Sequence, residues 1–197
     1  PQVEPASVNI EYEMAGDVNI AYQLETCISF GGQIIVSETV SIDSNTPNKE
    51  WSANPHLVSQ TFSLAAGGAL NLWSPETPHL YDLTVRVKQN DKVLDEVQSY
   101  FGVRSIELKD GKFLLNGKPY YLKFVLDQGY HPDGILTFPS DEAIRHDIEL
   151  TKAMGFNGAR KHQKVEEQRF HYWADKMGFL VWGEMANVYI YSETAIQ

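Results

Sequence analysis

The chain has 197 residues, 43% of them hydrophobic and 21% charged, which is the composition of an ordinary globular protein. Its net charge of −10 repels phosphate backbones, so we expect no nucleic-acid partner. No apolar run approaches the roughly 20 residues that a membrane helix needs, and the single Cys27 excludes an internal disulfide and a cysteine-cluster metal site.

The first hundred residues have the pattern of short strands separated by Gly, Pro, Asn and Asp. Ser7–Met14 and Asp17–Thr26 alternate in part and are joined by a turn signal at Ala15-Gly16. Four similar runs follow, which read GQIIVSETVSI, SQTFSLA, LYDLTVRVKQ and VLDEVQSYFGVR. Asn90-Asp91 separates the last two, as in a hairpin. About six or seven such strands without a helical period predict a β-sandwich over residues 1–104.

After Arg104 the pattern changes from strands alone to strands alternating with helices. Asp110-Gly111 and Asn116-Gly117 predict two hairpin turns, which lead into an apolar strand at Tyr121–Leu126. A helix is expected over Asp141–Met154, since Ser140 suits the N-cap and Gly155 suits the left-handed position after the last turn. Four of its side chains share one face: Ile144, Ile148, Thr151 and Met154.

A second strand at Phe156–Arg160, a helix at Glu166–Met177 and a third strand at Phe179–Glu184 complete this pattern. Buried strands that alternate with helices predict parallel pairing, in a doubly wound sheet or in a (β/α)₈ barrel. A barrel needs eight such units in about 250 residues, and two and a half are present in residues 105–197. The expectation is therefore a truncated barrel after the sandwich.

Polar residues follow each of the three strands, at the edge where sites form in parallel α/β folds. Those we select as candidates for substrate binding are Asp127, His131, Arg160, His162, Gln163 and Glu184. The alternatives are that Asp127 only caps its loop, that His131 is a solvated turn residue and that Arg160 and Glu184 form a structural ion pair. The 14-residue loop from Asp127 to Ser140 is long for a βα connection, which favours a functional role.

Motifs for cofactor chemistry are absent from the sequence. There is no glycine-rich phosphate loop, no G-x-S-x-G nucleophile elbow and no HExxH helix. A lone pair of His162 and Glu184 is a weak metal signal, so no metal and no cofactor are expected.

Several stretches from Leu72 onward resemble glycoside hydrolase family 2, the family of β-galactosidases, β-glucuronidases and β-mannosidases. Trp73–Leu83 (WSPETPHLYDL) is similar to the late part of that family's immunoglobulin-like sandwich, and Phe101–Pro119 is similar to its junction with the barrel. DEAIRHDIELTKAMGFNGARKHQ and YWADKMGFLVWGEMAN resemble the first two helices and the second and third strands of the barrel. The first seventy residues fit by architecture only.

The resemblance implies a retaining hydrolase of β-linked sugars, which uses two carboxyl groups about 5–5.5 Å apart. In the family these lie after the fourth strand and at the seventh, so we expect no catalytic residue in this chain and a supporting role for Glu184. The sequence departs from the family after strand one, where only His131 and Pro132 match, and after strand two, where Arg160 matches and the family histidine falls on Gln163. Lys161 and Lys164 suggest, by charge alone, an acidic sugar. The family's N-terminal jelly roll is not in this chain.

Three functions remain open from the sequence. The first is a piece of a β-glycosidase that is inactive alone and binds carbohydrate. The second is a non-catalytic carbohydrate-binding or interaction module that uses Trp51 and Trp73. The third is a doubly wound enzyme of unrelated chemistry. An open parallel edge predicts oligomeric contacts or poor order near the carboxyl end. Without an initial methionine, the lack of a visible signal peptide leaves the bacterial cytoplasm, the periplasm and secretion equally open.

Overall fold

The structure, a computed structural model, describes residues 6–14, 20–42, 56–64 and 69–187. The chain forms two units. The first consists of Pro1–Trp73 with His79–Ser105, and the second of Ser74–Pro78 with Ile106–Gln197.

The described part of the first unit has six strands in two antiparallel sheets. In chain order they are β1 (Ser7–Met14), β2 (Tyr22–Phe30), β3 (Gln33–Ile42), β4 (His56–Ser63), β5 (Tyr81–Gln89) and β6 (Lys92–Phe101). One sheet pairs β1 with β4, and the other has the order β3-β2-β5-β6. The predicted sandwich is confirmed.

Alternate side chains from both sheets fill the core of the sandwich, as a period of two requires. β1 contributes Val8 and Tyr12, while β2 contributes Leu24 and Ile28, all at most 7% exposed. The one hydroxyl that Tyr12 brings inside is satisfied, since it lies 2.9 Å from the hydroxyl of the buried Thr26.

The hairpin at Asn90-Asp91 is confirmed, because β5 pairs with β6 and both turn residues have positive φ, 48° and 65°. That geometry matches a type I′ turn, in which Asn and Asp tolerate the left-handed conformation. The turn at Ala15-Gly16 lies outside the described residues. The strands on its two sides do not pair, since β1 belongs to one sheet and β2 to the other.

The second unit begins with a small antiparallel sheet of β7 (Ile106–Lys109), β8 (Lys112–Leu115) and β9 (Lys118–Pro119). Both predicted turns are present, at Asp110-Gly111 and Asn116-Gly117, and all four turn residues have φ between 50° and 72°. The short segment Ser74–Pro78 also belongs to this unit. Within it, Glu76 accepts a 2.7 Å hydrogen bond from the Tyr120 hydroxyl.

A β-α-β-α-β run completes the described part of the second unit. It consists of β10 (Phe124–Asp127), α1 (Asp141–Ala153), β11 (Gly158–Lys161), α2 (Gln168–Met177) and β12 (Leu180–Gly183). The three strands form a parallel sheet in the order β10-β11-β12. The prediction of parallel pairing is therefore confirmed. Neither described helix combines the length and apolarity that crossing a bilayer requires.

The helices begin and end where local chemistry predicts. The Ser140 hydroxyl accepts a hydrogen bond from the Ala143 amide at the start of α1, and Gly178 closes α2 in the left-handed conformation. Both helices cover one face of the parallel sheet through a cluster that includes Ile148, Phe170 and Ala174. Met154, expected on the buried face of α1, is 68% exposed because it lies beyond the last helical residue as the C-cap.

Candidate functional site

The parallel sheet divides its side chains between two faces. Ala159 of β11 is buried in the cluster beneath the helices, together with Val125 and Val181 of the neighbouring strands. The next position on each strand points the other way, because successive side chains of a strand alternate. These positions pair in register as Leu126, Arg160 and Trp182, and all three side chains are exposed. We call the face of the sheet that carries these three side chains the open face.

Four groups converge at the carboxyl end of the open face. The Arg160 Nε donates to Glu184 Oε1, the Gln163 amide donates to Glu184 Oε2 at 2.9 Å, and His162 Nδ1 lies 3.3 Å from the same oxygen. We call this arrangement the Glu184 cluster. The hydrogen bond from Arg160 is the largest influence on the pKa of Glu184, and it holds that pKa below the usual range. The carboxyl is therefore an anion at neutral pH.

Gln163 contributes its backbone to this cluster through an unusual conformation. Its φ is +56°, a region that non-glycine residues rarely adopt. The turn that follows β11 thereby directs the Gln163 N–H at Glu184. Local strain of this kind persists only where surrounding contacts fix it, and it is common at functional sites.

A second polar cluster lies on the helix side of the sheet, around Lys161. The Lys161 side chain is fully buried, hydrogen-bonds Asp127 and lies 3.0 Å from Glu166 Oε2 as an ion pair. Its ammonium also lies 3.9 Å from the centroid of the Phe170 ring. We call Asp127, Lys161, Glu166 and Lys164 the buried ion network. A buried charge of this kind is tolerated only when it is paired and hydrogen-bonded.

The two carboxyl groups of the buried ion network are held ionised. Burial acts to raise the pKa of Asp127, but the hydrogen bond from Lys161 and its charge outweigh burial, so the pKa is lowered. Burial likewise acts to raise the pKa of Glu166, and contacts with Lys164 and Lys161 lower it below the usual range.

Asp127 and His131 lie apart from the Glu184 cluster. Asp127 caps its loop through a 2.6 Å hydrogen bond from the Gly129 amide, besides its contact with Lys161. The His131 ring packs on Phe138 with centroids 3.8 Å apart, and its Nε2 is buried without a hydrogen-bond partner among the described residues. His131 is thus neither a solvated turn residue nor a member of the Glu184 cluster.

A cleft of about 530 Å³ adjoins the Glu184 cluster. The loop after β10 lines it with Gln128, Tyr130 and Leu136, and the loop after β11 lines it with His162, Gln163 and Lys164. These groups are amides, a phenol, an imidazole, an apolar side chain and the ammonium of Lys164, which is paired with Glu166. Such a lining suits a polyhydroxylated ligand, which needs many hydrogen bonds and an apolar ring face.

The geometry argues against the charge-based suggestion that Lys161 and Lys164 bind an acidic sugar. Lys161 has no exposed surface, and the ammonium of Lys164 is bound to Glu166 and to two backbone carbonyls. Both positive charges are therefore neutralised within the fold.

The positions of the six candidate residues at the strand ends predicted a single site. The structure places these residues in different surroundings. Arg160, His162, Gln163 and Glu184 come together. Asp127 belongs to the buried ion network. The sequence analysis did not predict this network, although Lys161 directly follows Arg160 in a strand and its side chain must therefore point to the opposite face. Trp182 was also not selected, although its separation of two residues from Glu184 signals the same face.

Two family models match the chain, and together they cover nearly all of it. Residues 6–104 match the model described as glycosyl hydrolases family 2, and residues 106–196 match the TIM barrel domain of the same family. The chain belongs to glycosyl hydrolase family 2. Its parallel sheet is therefore the start of a (β/α)₈ barrel, and the alternative of a doubly wound sheet is removed.

Relatives within family 2 agree with this assignment. A β-galactosidase from Pectobacterium atrosepticum is 33% identical over 60% of this chain, and a β-glucuronidase from Streptococcus agalactiae is 32% identical over 60%. A solved family 2 protein from Bacteroides cellulosilyticus superimposes with a TM-score of 0.71 and 27% identity over 89% of this chain. The chain spans 11% and 20% of the length of the two relatives and 22% of the solved chain.

Proposed function

We propose that this chain forms the immunoglobulin-like sandwich and the opening strands of the catalytic barrel of a retaining β-glycosidase, and that its Glu184 cluster binds the sugar. The observation that carries the proposal is the convergence of Arg160, His162 and the Gln163 amide on Glu184. This convergence lies at the carboxyl ends of parallel barrel strands, where active sites of such barrels form.

The Glu184 cluster has the chemistry for recognising sugar hydroxyls. An ionised carboxylate accepts hydrogen bonds from hydroxyl groups, and a guanidinium that is bound through Nε still has further N–H donors on its terminal nitrogens. Trp182, 55% exposed on the same face, offers an aromatic surface for the apolar face of a sugar ring. The pairing of Arg160 with Glu184 fixes both side chains before the ligand arrives.

The same geometry argues that these residues bind rather than cleave. Retaining hydrolysis needs one carboxyl group as proton donor and another as nucleophile, about 5–5.5 Å apart. Among the described residues on the open face of the three barrel strands and in the positions that continue that face, Glu184 is the only carboxyl group, since Asp127 at the end of β10 is turned to the other face. The lowered pKa of Glu184 makes it a poor proton donor, and Arg160 and the Gln163 amide occupy both of its oxygens. We therefore propose that the 197-residue chain alone does not hydrolyse glycosides.

The test compares the full-length polypeptide encoded by the gene with the purified 197-residue chain, both assayed on aryl β-glycosides. Turnover by the full-length polypeptide and none by the chain is the expected result. Turnover by the isolated chain would refute the assignment of its residues to binding. A full-length polypeptide without activity on any β-glycoside would refute the glycosidase proposal itself.

No observation favours the carbohydrate-binding module as a second candidate. Trp73 is 1% exposed, and the Arg104 guanidinium lies 4.7 Å from the centroid of its ring, so Trp73 is not available to stack on a sugar. Trp51 lies outside the described residues. Sugar binding that survives removal of all residues after Arg104 would support the module.

A further inference from the structure

Lys164 joins two distant points of the loop between β10 and α1. Its ammonium donates to the carbonyl of Gly129 at 3.0 Å and to the carbonyl of Leu136 at 2.6 Å. It also forms an ion pair with Glu166 Oε1 at 2.9 Å. An ammonium has three N–H donors, so these three contacts use all of them.

The anchor of Lys164 is a buried charge. The Glu166 side chain is 1% exposed, and its other oxygen faces the fully buried Lys161. The Glu166 carboxylate is enclosed by the fold and cannot turn towards water. Its ion pair with Lys164 therefore holds the ammonium in one position. The loop is thus tied to the buried ion network rather than to another mobile surface group.

Gly129 supplies an independent sign that this contact is built into the loop. Its φ is +68°, which disfavours any side chain, and a Cβ at this position would lie 2.6 Å from Lys164 Nζ and 2.7 Å from Lys164 Cδ. Glycine at position 129 therefore leaves the space through which the lysine side chain passes.

The two carbonyls that Lys164 holds lie in the loop that lines one part of the cleft beside the Glu184 cluster. Gln128 and Tyr130 flank Gly129 in sequence, and both line the cleft, as does Leu136. A shift of either carbonyl would therefore move the groups that face the ligand. The loop after β11 lines the cleft with His162 and Gln163, which the Glu184 cluster fixes, and with Lys164 itself.

We propose that Lys164 is a positioning residue: by tying Gly129 and Leu136 to the buried Glu166, it sets the wall of the cleft and so governs sugar binding. This inference rests on the proposed glycosidase function. Lys164 acts through Gln128, Tyr130 and Leu136 and neither donates to the sugar nor takes part in bond cleavage. Its loss therefore weakens substrate binding more than the chemical step.

The test uses Lys164→Met in the full-length polypeptide, with Lys152→Met as a matched control. Lys152 also donates to backbone carbonyls, those of Met177 at 2.5 Å and Gly178 at 3.0 Å, but it lies outside the cleft. Steady-state kinetics on an aryl β-glycoside are measured alongside amide hydrogen exchange of the loop. Gly129→Ala, which displaces the Lys164 side chain, is a second variant if Lys164→Met does not fold.

For Lys164→Met we expect a KM increase of about tenfold or more with kcat within about threefold. The amides of His131 and Ile135, which each donate to the other's carbonyl at 2.9 Å, should exchange at least about tenfold faster. Lys152→Met should leave both readouts at wild-type values. An unchanged KM in an active enzyme overturns the positioning role, and unchanged loop exchange overturns the tie itself. A wild type without glycosidase activity refutes the proposed function instead, and the exchange result still decides whether the tie exists.

Discussion

Asp127 and Glu184 lie on opposite faces of the same parallel sheet. Asp127 hydrogen-bonds Lys161 and Glu184 hydrogen-bonds Arg160, and these two basic residues are consecutive in β11. Because neighbouring side chains of a strand alternate, one acid is turned towards the helices and the other towards the open face. The first acid belongs to the buried ion network, and the second belongs to the surface that we assign to the sugar.

Glu184→Gln in the full-length polypeptide should impair catalysis without unfolding the protein. The amide cannot accept from both Arg160 and the Gln163 N–H as the carboxylate does, so the guanidinium loses its fixed orientation. Misplacement of a binding group by about 1 Å lowers the rate by about a hundredfold, so we expect kcat/KM to fall by about that factor. Steady-state kinetics measure the effect, and circular dichroism confirms that the fold is kept. Activity within about twofold of wild type would contradict a role for Glu184 in the site.

Trp182→Ala should weaken sugar binding by the full-length polypeptide and leave the stability of the 197-residue chain nearly unchanged. In that chain the indole is 55% exposed on the open face, so its removal takes little from the buried core. Loss of one aromatic contact with the sugar is expected to raise KM about tenfold. The matched control is Tyr172→Ala, an exposed aromatic residue on α2, which should leave KM unchanged.

Lys161→Met should destabilise the protein strongly. The substitution leaves Asp127 without its cation and Glu166 with Lys164 as its remaining partner, and removal of one partner from such a buried network costs about 3–5 kcal/mol. Chemical denaturation measures the change, and the exposed Lys112→Met should alter stability by no more than about 0.5 kcal/mol. Replacement of three of the four network residues, as Lys161→Met with Asp127→Asn and Glu166→Gln, should recover part of the loss. A single variant as stable as wild type would show that the pairing is dispensable.

Stability should fall in acid because of the same network. The pKa values of Asp127 and Glu166 are lowered in the folded state, so their contribution is fully present above the unfolded values of about 3.9 and 4.3. It is lost as the pH falls through the lower, folded pKa values. Denaturation curves between pH 7 and pH 2 should show a smaller acid loss for Lys161→Met, because the main cause of the lowered pKa of Asp127 and one of the causes of the lowered pKa of Glu166 are gone. An equal loss in both proteins would place the acid sensitivity elsewhere.

Neutral sugars should be preferred over uronic acids by the full-length polypeptide. The three basic groups nearest the cleft, Arg160, Lys161 and Lys164, are all paired with carboxylates in the fold. Because their charges are already balanced by these carboxylates, a sugar carboxylate gains less from them than from an unpaired cation. Parallel assays on aryl β-galactoside and aryl β-glucuronide measure the preference, and a higher kcat/KM for the glucuronide would contradict the expectation.

The turns and strand types could be predicted from sequence because their signals are local. Asn90-Asp91, Asp110-Gly111 and Asn116-Gly117 form hairpins wherever they separate two β-prone runs, and Ser140 caps a helix through its own hydroxyl. The separation of β1 and β2 into different sheets could not be predicted, since strand pairing depends on contacts distant in sequence.

The composition of the site was predictable only in part for a similar reason. Whether Asp127 points to the open face depends on where β10 ends, and the strand ends at Asp127 itself rather than at Leu126. A one-residue error in the predicted end of β10 leaves the predicted fold unchanged but assigns the Asp127 side chain to the wrong surroundings. The role of the Gln163 backbone depends on a left-handed turn that nothing in the side chain signals.

Five residues of the second unit, Ser74–Pro78, come from an earlier part of the chain than the rest of that unit. They are encoded within the stretch that otherwise forms the sandwich, yet Glu76 bonds Tyr120 and the Pro75 carbonyl lies 3.4 Å from Lys152 Nζ. Recombination between two family members near residue 105 would combine the barrel of one protein with the Ser74–Pro78 segment of the other. Chimaeras within the family should therefore work best when the donor of the barrel also donates the SPETP segment, Ser74–Pro78.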